Sequence, residues 1–234
     1  MTGIIAANCL DGGVIVPDRK ITFVRKAPEF RDDKVMSKYY PIIISYAGSV
    51  ALSKYFVNIA YQLAQTQSYN SFVPPKPPRV WQNSVTSGAV LLTPNYEFDY
   101  HVDYSKYINQ LGPIVHNLNQ RYSEQAGSPF EVTLSTQIDG NNTRLCNITA
   151  GGEVHDGMDI KCIGRASGCA AKALAQKWNK DMSMKETAQI GFTVLNAIGD
   201  GLDKGTGFGN QDPQIWFIPK NGQIYCDNDE MIGF

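Results

Sequence analysis

Residues 2–22 read TGIIAANCLDGGVIVPDRKIT, and this stretch decides the fold. Two apolar runs, Ile4–Asn8 and Gly13–Val16, lie on either side of Leu10-Asp11-Gly12. Two apolar runs joined through an Asp-Gly pair are typical of a β-hairpin, because these residues accept the positive φ values of a tight turn. The sequence therefore predicts a hairpin over residues 4–16.

The next elements along the chain are a buried strand and a helix. Pro41–Tyr46 reads PIIISY, a continuous β-branched run that predicts a strand with both faces covered. We expect Ala47-Gly48-Ser49 to break this strand. From Ser49 to Gln65 apolar residues recur every three or four positions, which predicts a helix with Ser49 as its N-cap. These residues are Leu52, Phe56, Ile59 and Leu63.

The remainder of the chain alternates between strands and helices. Thr66–Gly88 is polar and contains Pro74, Pro75, Pro77 and Pro78, so we expect a loop with a stiff surface segment or, alternatively, a ligand for an SH3-like partner. Further helices are predicted over Ser105–Ser123, with a kink or break at Pro113, and over Gly168–Trp178 and Lys185–Ile198. Further strands are predicted over Phe130–Ile138, Arg144–Thr149, Asp159–Ile163, Gln214–Pro219 and Gln223–Cys226.

This order of elements shows no repeat and no linker that would separate two cores. We therefore predict one α+β domain over residues 1–234, with helix pairs on the outside of packed sheets.

Composition excludes several classes of function. Among the 234 residues, 21 Lys and Arg face 22 Asp and Glu, which gives a net charge of −1. Nucleic-acid and anionic-membrane binders need a basic excess, which is missing here. No apolar run approaches the roughly 18–20 residues of a membrane span, and no basic segment precedes the first apolar stretch, as a secretory signal would require. We expect a cytoplasmic protein with no nucleic-acid or membrane partner.

Cysteine and histidine usage gives no sign of a metal or a disulfide framework. The five cysteines are scattered, odd in number and without a CxxC pair, which favours reduced thiols. The three histidines, His101, His116 and His155, lie far apart and form no metal-ligand spacing. No metal and no cofactor are therefore predicted.

The second residue of the chain is a candidate nucleophile. Thr2 follows the initiator methionine, and its small side chain permits removal of Met1. The exposed α-amine would have a pKa of about 7.7–8.0 and could accept the proton of its own hydroxyl. An N-terminal threonine thus carries both nucleophile and base, although the motif alone is common in proteins without this chemistry.

The spacing after Thr2 makes the motif more specific. Asp18 follows Thr2 by 16 residues, and Lys34 follows Asp18 by 16. The first fifty residues of the chain resemble the proteasome β-subunit and HslV family of N-terminal nucleophile hydrolases. The resemblance lies in an Asp-Gly turn, an Asp-Arg pair, an Asp-Lys-Val segment and an Ala-Gly-Ser turn. These elements are Asp11-Gly12, Asp18-Arg19, Asp33-Lys34-Val35 and Ala47-Gly48-Ser49. Residues 162–198 and 212–225 continue the resemblance.

The resemblance implies an αββα four-layer sandwich and a threonine-type endopeptidase. Thr2 would attack the substrate carbonyl, with Lys34 lowering the pKa of its hydroxyl and Asp18 keeping Lys34 charged. The N–H of Gly48 would bind the developing oxyanion. An Asp-x-x-Ser motif of the family matches Asp203 and Thr206 after a one-residue insertion.

One motif departs from the family pattern. The family's Gly-Ser-Gly turn, whose serine supports the amine, reads Gly164-Arg165-Ala166 here. Ser167 is the nearest hydroxyl that would replace that serine.

The family positions that bind substrate next to the scissile bond are also defined by the resemblance. The bulk of Tyr46 and Val50 predicts a short pocket that prefers small or medium apolar residues. The full predicted set is Ile21, Thr22, Asp32, Met36, Tyr46, Val50 and Lys54.

The resemblance also implies partners. These are a peptide or unfolded-protein substrate, further copies of the chain in a homo-oligomeric ring, and an ATP-dependent unfoldase. Relative to the family, the chain carries an insertion within about residues 66–103. Two alternatives stay open: a catalytically inactive structural subunit, favoured by Arg165, and a related amidase or transpeptidase.

Overall fold

The computed structural model describes residues 3–18, 20–23, 29–30, 42–66, 84–92, 104–138, 142–201, 214–220 and 224–227. Over these residues the chain has a mixed α+β fold with four helices and two antiparallel sheets. The strands are β1 Ile4–Asn8, β2 Gly12–Pro17, β3 Lys20–Phe23, β4 Glu29–Phe30, β5 Ile42–Ser49, β6 Ser84–Leu92, β7 Phe130–Ile138, β8 Asn142–Ile148, β9 Val154–Asp156, β10 Ile160–Ile163, β11 Ile215–Pro219 and β12 Tyr225–Asp227. The helices are α1 Val50–Thr66, α2 Tyr104–Tyr122, α3 Ser167–Leu174 and α4 Met184–Gly201.

The first sheet has the strand order β10-β1-β2-β11-β12. The predicted N-terminal hairpin is confirmed, with β1 and β2 paired from Ile4 opposite Pro17 to Asn8 opposite Gly13. Its two outer neighbours come from distant parts of the sequence, because β10 pairs with β1 and β11 pairs with β2.

The second sheet has the order β4-β3-β6-β5-β7-β8-β9, with β5 near its centre. The predicted break at Ala47-Gly48-Ser49 is wrong, since β5 continues through Ser49 with β6 on one side and β7 on the other. Ser49 is nevertheless the helix N-cap, because its Oγ accepts a hydrogen bond from the Leu52 N–H at 3.4 Å. The predicted loop is wrong over its last part, where Ser84 begins strand β6.

Three buried apolar clusters hold these elements together. One lies between the second sheet and helices α1 and α2, and includes Phe56, Leu111 and Leu134. Another lies between the first sheet and helices α3 and α4. The third joins the two sheets, and its members come from both: Ile4, Ala6, Ile15, Ile43, Ala47, Leu145, Ile163, Trp216 and Ile218.

Helix α2 is continuous through Pro113, so the predicted break there is wrong. Pro113 is exposed, and so is Asn109, whose carbonyl loses its helical partner because proline has no N–H. The preceding residue, Gly112, packs against the turn that follows β8. A Cβ at Gly112 would lie 2.6 Å from the Gly152 carbonyl oxygen, so the helix approaches the turn more closely than any side chain would allow.

Helices α3 and α4 differ in length from their predicted extents. Helix α3 ends at Leu174 and is followed by a turn, whereas α4 begins at Met184 and extends to Gly201. A capping box sets the beginning of α4, where the Ser183 N–H donates to Glu186 Oε2 at 2.8 Å and the Glu186 N–H donates to Ser183 Oγ at 3.2 Å. The Ser183 N–H and the Ser183 hydroxyl, which also donates to Oε2 at 2.8 Å, together lower the pKa of the Glu186 carboxyl.

Several sequence predictions fall outside the described residues. These include the proline segment at residues 74–78, most of the insertion within about residues 66–103, and the Asp33-Lys34-Val35 segment. Within the described part of the chain, no helix is both long and apolar enough to cross a membrane.

Asn119 links helix α2 to the second sheet, and its loss should destabilise the protein strongly. Its Nδ2 donates to the carbonyls of Phe130 at 2.8 Å and Ala150 at 2.9 Å, and its Oδ1 accepts from the Phe130 N–H at 3.0 Å. Asn119→Ala leaves these backbone groups unpartnered, so we expect the free energy of unfolding to fall by about 2–4 kcal/mol in urea denaturation.

The matched control is Asn117→Ala on the exposed face of the same helix. We expect it to change the free energy of unfolding by less than about 0.5 kcal/mol. If both variants lose the same free energy of unfolding, the loss comes from placing alanine in this helix and not from breaking the hydrogen bonds of Asn119.

Candidate active site

A buried carboxylate lies at the beginning of β1. Asp18 is 1% exposed, and its Oδ2 accepts a hydrogen bond from the Gly3 N–H at 2.8 Å. The Asp18 N–H in turn donates to the Gly3 carbonyl at 2.8 Å, so the β1–β2 pairing extends one residue beyond Ile4. Asp18 is therefore fixed beside the residue that follows Thr2 in the sequence.

The turn after β10 lies on the other side of β1. Ile163 is the last residue of β10 and pairs with Ile4. The chain then turns at Gly164, whose φ of +91° favours glycine, and the Gly164 carbonyl accepts from the Ser167 N–H at 3.0 Å. This turn connects the strand next to β1 with the first residue of helix α3.

The second sheet supplies Gly48 near the end of β5. Gly48 has a φ of +127°, and its neighbour Ala47 packs in the cluster between the sheets together with Ile4 and Ile163. Ala47, Ile4 and Ile163 therefore share one cluster, and each adjoins in sequence a residue of this region: Gly48, Gly3 and Gly164. Of the predicted catalytic residues, Asp18, Gly48 and Ser167 are the three that lie within the described part of the chain.

The predicted substrate-binding residues are more widely distributed. Tyr46 is 3% exposed and packs in the cluster under helices α1 and α2, and Val50 is also buried. Lys54 is exposed on α1. Ile21 and Thr22 belong to β3, where they are paired with Glu29 and Val85. Thr2, Asp32, Lys34, Met36, Asp203 and Thr206 lie outside the described residues.

Glu131 is a polar residue at this site that the sequence reasoning missed. Its Oε1 accepts a hydrogen bond from the Gly164 N–H at 2.9 Å, across the space between the two sheets. The sequence does contain a sign of it, because Glu131 is an acidic residue in a predicted strand whose alternate positions Val132 and Leu134 are apolar.

A cleft of about 350 Å³ begins at the same turn. It lies between β10 and α3, with Ser167 and Gly168 at one end of the helix and Trp178 beyond the other. Its walls are mainly apolar, with Lys161 and Cys162 supplied by β10. Ser167 therefore borders an apolar cleft.

Three cysteines are poor nucleophiles where they stand. Burial raises the pKa of Cys9 to about 11 and the pKa values of Cys146 and Cys162 to about 12, so these thiols stay protonated at neutral pH. Cys169 and Cys226 are exposed. Among the described residues, no group of three or more His, Cys, Asp or Glu side chains is arranged to hold a metal ion.

Comparison with known proteins identifies the fold. No protein-family model matches the sequence, and none of the curated proteins compared with it matches. The structure is similar to Anbu (ancestral beta-subunit) from Yersinia bercovieri, with a TM-score of 0.67 and 12% identity over 97% of this chain and 88% of that one. It is also similar to the Anbu (Gly-1) mutant from Hyphomicrobium sp. strain MC1, with a TM-score of 0.66 and 13% identity over 98% of this chain and 88% of that one.

These similarities correct one prediction and confirm another. The resemblance to the proteasome β-subunit and HslV family, drawn from the sequence, is wrong as an identification, because the solved structures that the chain resembles are of Anbu. The mixed α+β class is confirmed. At 12–13% identity the similarity shows the fold alone.

Proposed function

We propose that this protein is a threonine-dependent peptidase whose nucleophile is Thr2, exposed by removal of Met1. The observation that carries the proposal is the buried Asp18 carboxylate, which is bonded to the Gly3 N–H one residue from Thr2. Burying a carboxylate is costly unless it is partnered, so the place of Asp18 at the beginning of β1 favours a role for it there. The Anbu-like fold gives general support for a hydrolase.

The proposed reaction is transfer of an acyl group to Thr2, followed by hydrolysis. The Thr2 hydroxyl oxygen forms a bond to the substrate carbonyl carbon, and its proton passes to the α-amine. The amine then gives this proton to the leaving nitrogen as the peptide C–N bond breaks. Water hydrolyses the resulting ester, which releases the acid and restores the hydroxyl.

Other residues would support these steps electrostatically. Lys34 would stabilise the ionised Thr2 hydroxyl, and Asp18 would keep Lys34 charged. The N–H of Gly48 would face the oxyanion. Ser167, Asp203 and Thr206 are the proposed polar partners of the amine.

The proposed substrate is a peptide or an unfolded protein segment. Tyr46 and Val50 would restrict the residue before the scissile bond to small or medium apolar side chains. The other proposed contributors are Ile21, Thr22, Asp32, Met36 and Lys54.

The proposed architecture is an αββα four-layer sandwich formed by a single domain over residues 1–234. The three apolar clusters support it, since one lies between the sheets and one lies under each helix pair. The insertion within about residues 66–103, assembly into a homo-oligomeric ring and an unfoldase partner stand as further proposals.

An epoxyketone inhibitor tests the nucleophile and its base together, because it closes a ring with a hydroxyl and the adjacent free amine. We expect intact mass spectrometry of the wild-type protein to show that the chain begins at Thr2 and gains one inhibitor per chain. Peptide mapping should place the adduct on Thr2. A retained Met1 in folded protein, or an unlabelled chain that begins at Thr2, would contradict the peptidase proposal.

Arg165 favours a second candidate, a structural subunit without activity. Its exposed side chain lies in the turn after β10, next to the segment that carries Ser167, where a bulky cation does not suit a proton relay. If neither the wild type nor Arg165→Ser is labelled, this second candidate is preferred. A panel of peptide, amide and acyl-acceptor substrates separates a peptidase from an amidase or transpeptidase.

A further inference from the structure

Glu131 faces the space between the two sheets. On β7, Val132 and Leu134 pack toward helices α1 and α2, so the alternate residues Glu131, Thr133 and Ser135 face the first sheet. Glu131 is paired across the ladder with Ala47, which belongs to the cluster between the sheets. Its carboxylate is therefore next to the strand that carries Gly48 and opposite the beginning of β1.

The carboxylate of Glu131 holds the turn after β10. The β10–β1 ladder ends where Ile163 pairs with Ile4, and the next N–H, that of Gly164, donates to Glu131 Oε1 at 2.9 Å. The carbonyl of Gly164 accepts from the Ser167 N–H at 3.0 Å. Both polar groups of Gly164 are thus bonded, one to the second sheet and one to the first residue of α3.

This contact is a polar link between the two halves of the candidate site. Asp18 and Ser167 are carried by the first sheet and its helix, whereas Gly48 is carried by the second sheet. Hydrogen bonds to a charged acceptor are stronger and more directional than neutral ones, so one carboxylate can hold a turn in register. Among the described residues, Glu131 makes the side-chain hydrogen bond that joins this turn to the second sheet.

We propose that Glu131 is a positioning residue for the Thr2 reaction, acting through Gly164 to keep Ser167 at the correct distance from the nucleophile and its amine. This inference rests on the proposed function. Displacement of a supporting group by about 1 Å lowers the rate of an enzyme by up to about 100-fold, which sets the size of the expected effect.

The test compares Glu131→Ala with Glu131→Gln, which keeps an oxygen acceptor for the Gly164 N–H. We expect Glu131→Ala to lower the rate of epoxyketone labelling and kcat for peptide hydrolysis by about 10- to 100-fold, with KM changed less than about twofold. Glu131→Gln should stay within about threefold of wild type, because the hydrogen bond survives without its charge. Glu124→Ala, on an exposed glutamate, is the matched control and should match wild type.

Hydrogen exchange measured by mass spectrometry gives a second readout that does not depend on activity. In Glu131→Ala we expect faster exchange in peptides covering residues 163–168, with unchanged exchange in peptides covering β8 and β9. Wild-type labelling rates in Glu131→Ala, or an equal loss in Glu131→Gln, would overturn the positioning role. If the wild type itself is not labelled, the proposed function is overturned, and the exchange rates alone decide whether Glu131 holds the turn.

Discussion

Thr2→Ala should abolish covalent labelling by the epoxyketone and lower peptide hydrolysis by about 1,000-fold or more, because the attacking oxygen is lost. Removal of one hydroxyl is expected to change the melting temperature by no more than about 2 °C. Intact mass spectrometry and a fluorogenic peptide assay measure the loss, and thermal unfolding checks that the variant is folded.

Thr2→Ser is the matched control for this experiment, since it keeps a hydroxyl next to the α-amine. We expect it to be labelled at the same position, at a rate within about tenfold of wild type. Hydrolysis by Thr2→Ala at the wild-type rate would place the nucleophile elsewhere in the chain.

Gly48→Ala should cause a large loss of stability. Gly48 has a φ of +127°, a backbone conformation that strains any residue with a Cβ. The added methyl would also collide with the Pro129 carbonyl oxygen and lie 2.7 Å from the Phe130 Cα, and backbone atoms cannot rotate away. We expect the free energy of unfolding to fall by about 3 kcal/mol or more, measured in urea.

Two further glycines separate backbone strain from steric overlap. Gly157 has a φ of +69° and open space around it, so Gly157→Ala should cost only about 1 kcal/mol. Gly168 lies in helix α3, also in open space, and Gly168→Ala should stabilise the protein by about 0.5–1 kcal/mol. A loss at Gly48 no larger than that at Gly157 would show that β7 moves to accept the methyl group.

Local sequence patterns were sufficient to predict the strands and the helix that bury a regular apolar face. The hairpin, β5 and α1 were predicted because apolar runs and a helical repeat of Leu52, Phe56 and Ile59 leave few alternatives. Strand β6 was missed because its first half, Ser84–Gly88, reads as polar and turn-like. Its place beside β5 depends on pairing with a distant strand, which no local pattern records.

Proline and glycine in α2 misled the prediction for a related reason. Gly112-Pro113 reads as a helix break when only the helix itself is considered. In the fold, Gly112 is needed where the helix meets Gly152, and Pro113 faces solvent. Tertiary contacts therefore preserve a helix that local propensity would interrupt.

The candidate site was predictable in its residue types and less so in its connections. Asp18 was selected because of its spacing to Thr2. In the structure that spacing corresponds to the pairing of β1 with β2, which places Asp18 opposite Gly3. Glu131 was not predicted, because its partner is a backbone N–H whose position depends on how β7 faces β10. Tyr46 packs under helices α1 and α2. The sequence predicted that Tyr46 lies in a strand, but which face of the sheet it occupies depends on how distant elements pack.

The way in which the first sheet is assembled has a consequence for synthesis of the chain. The hairpin formed by β1 and β2 is made well before its two neighbours, β10 and β11, which follow more than 130 residues later. Until then both edges of the hairpin lack partners, and contacts between such distant segments form slowly. The region around Asp18 and Gly164 is therefore completed late in translation, only after β10 and the turn at Gly164 have been made.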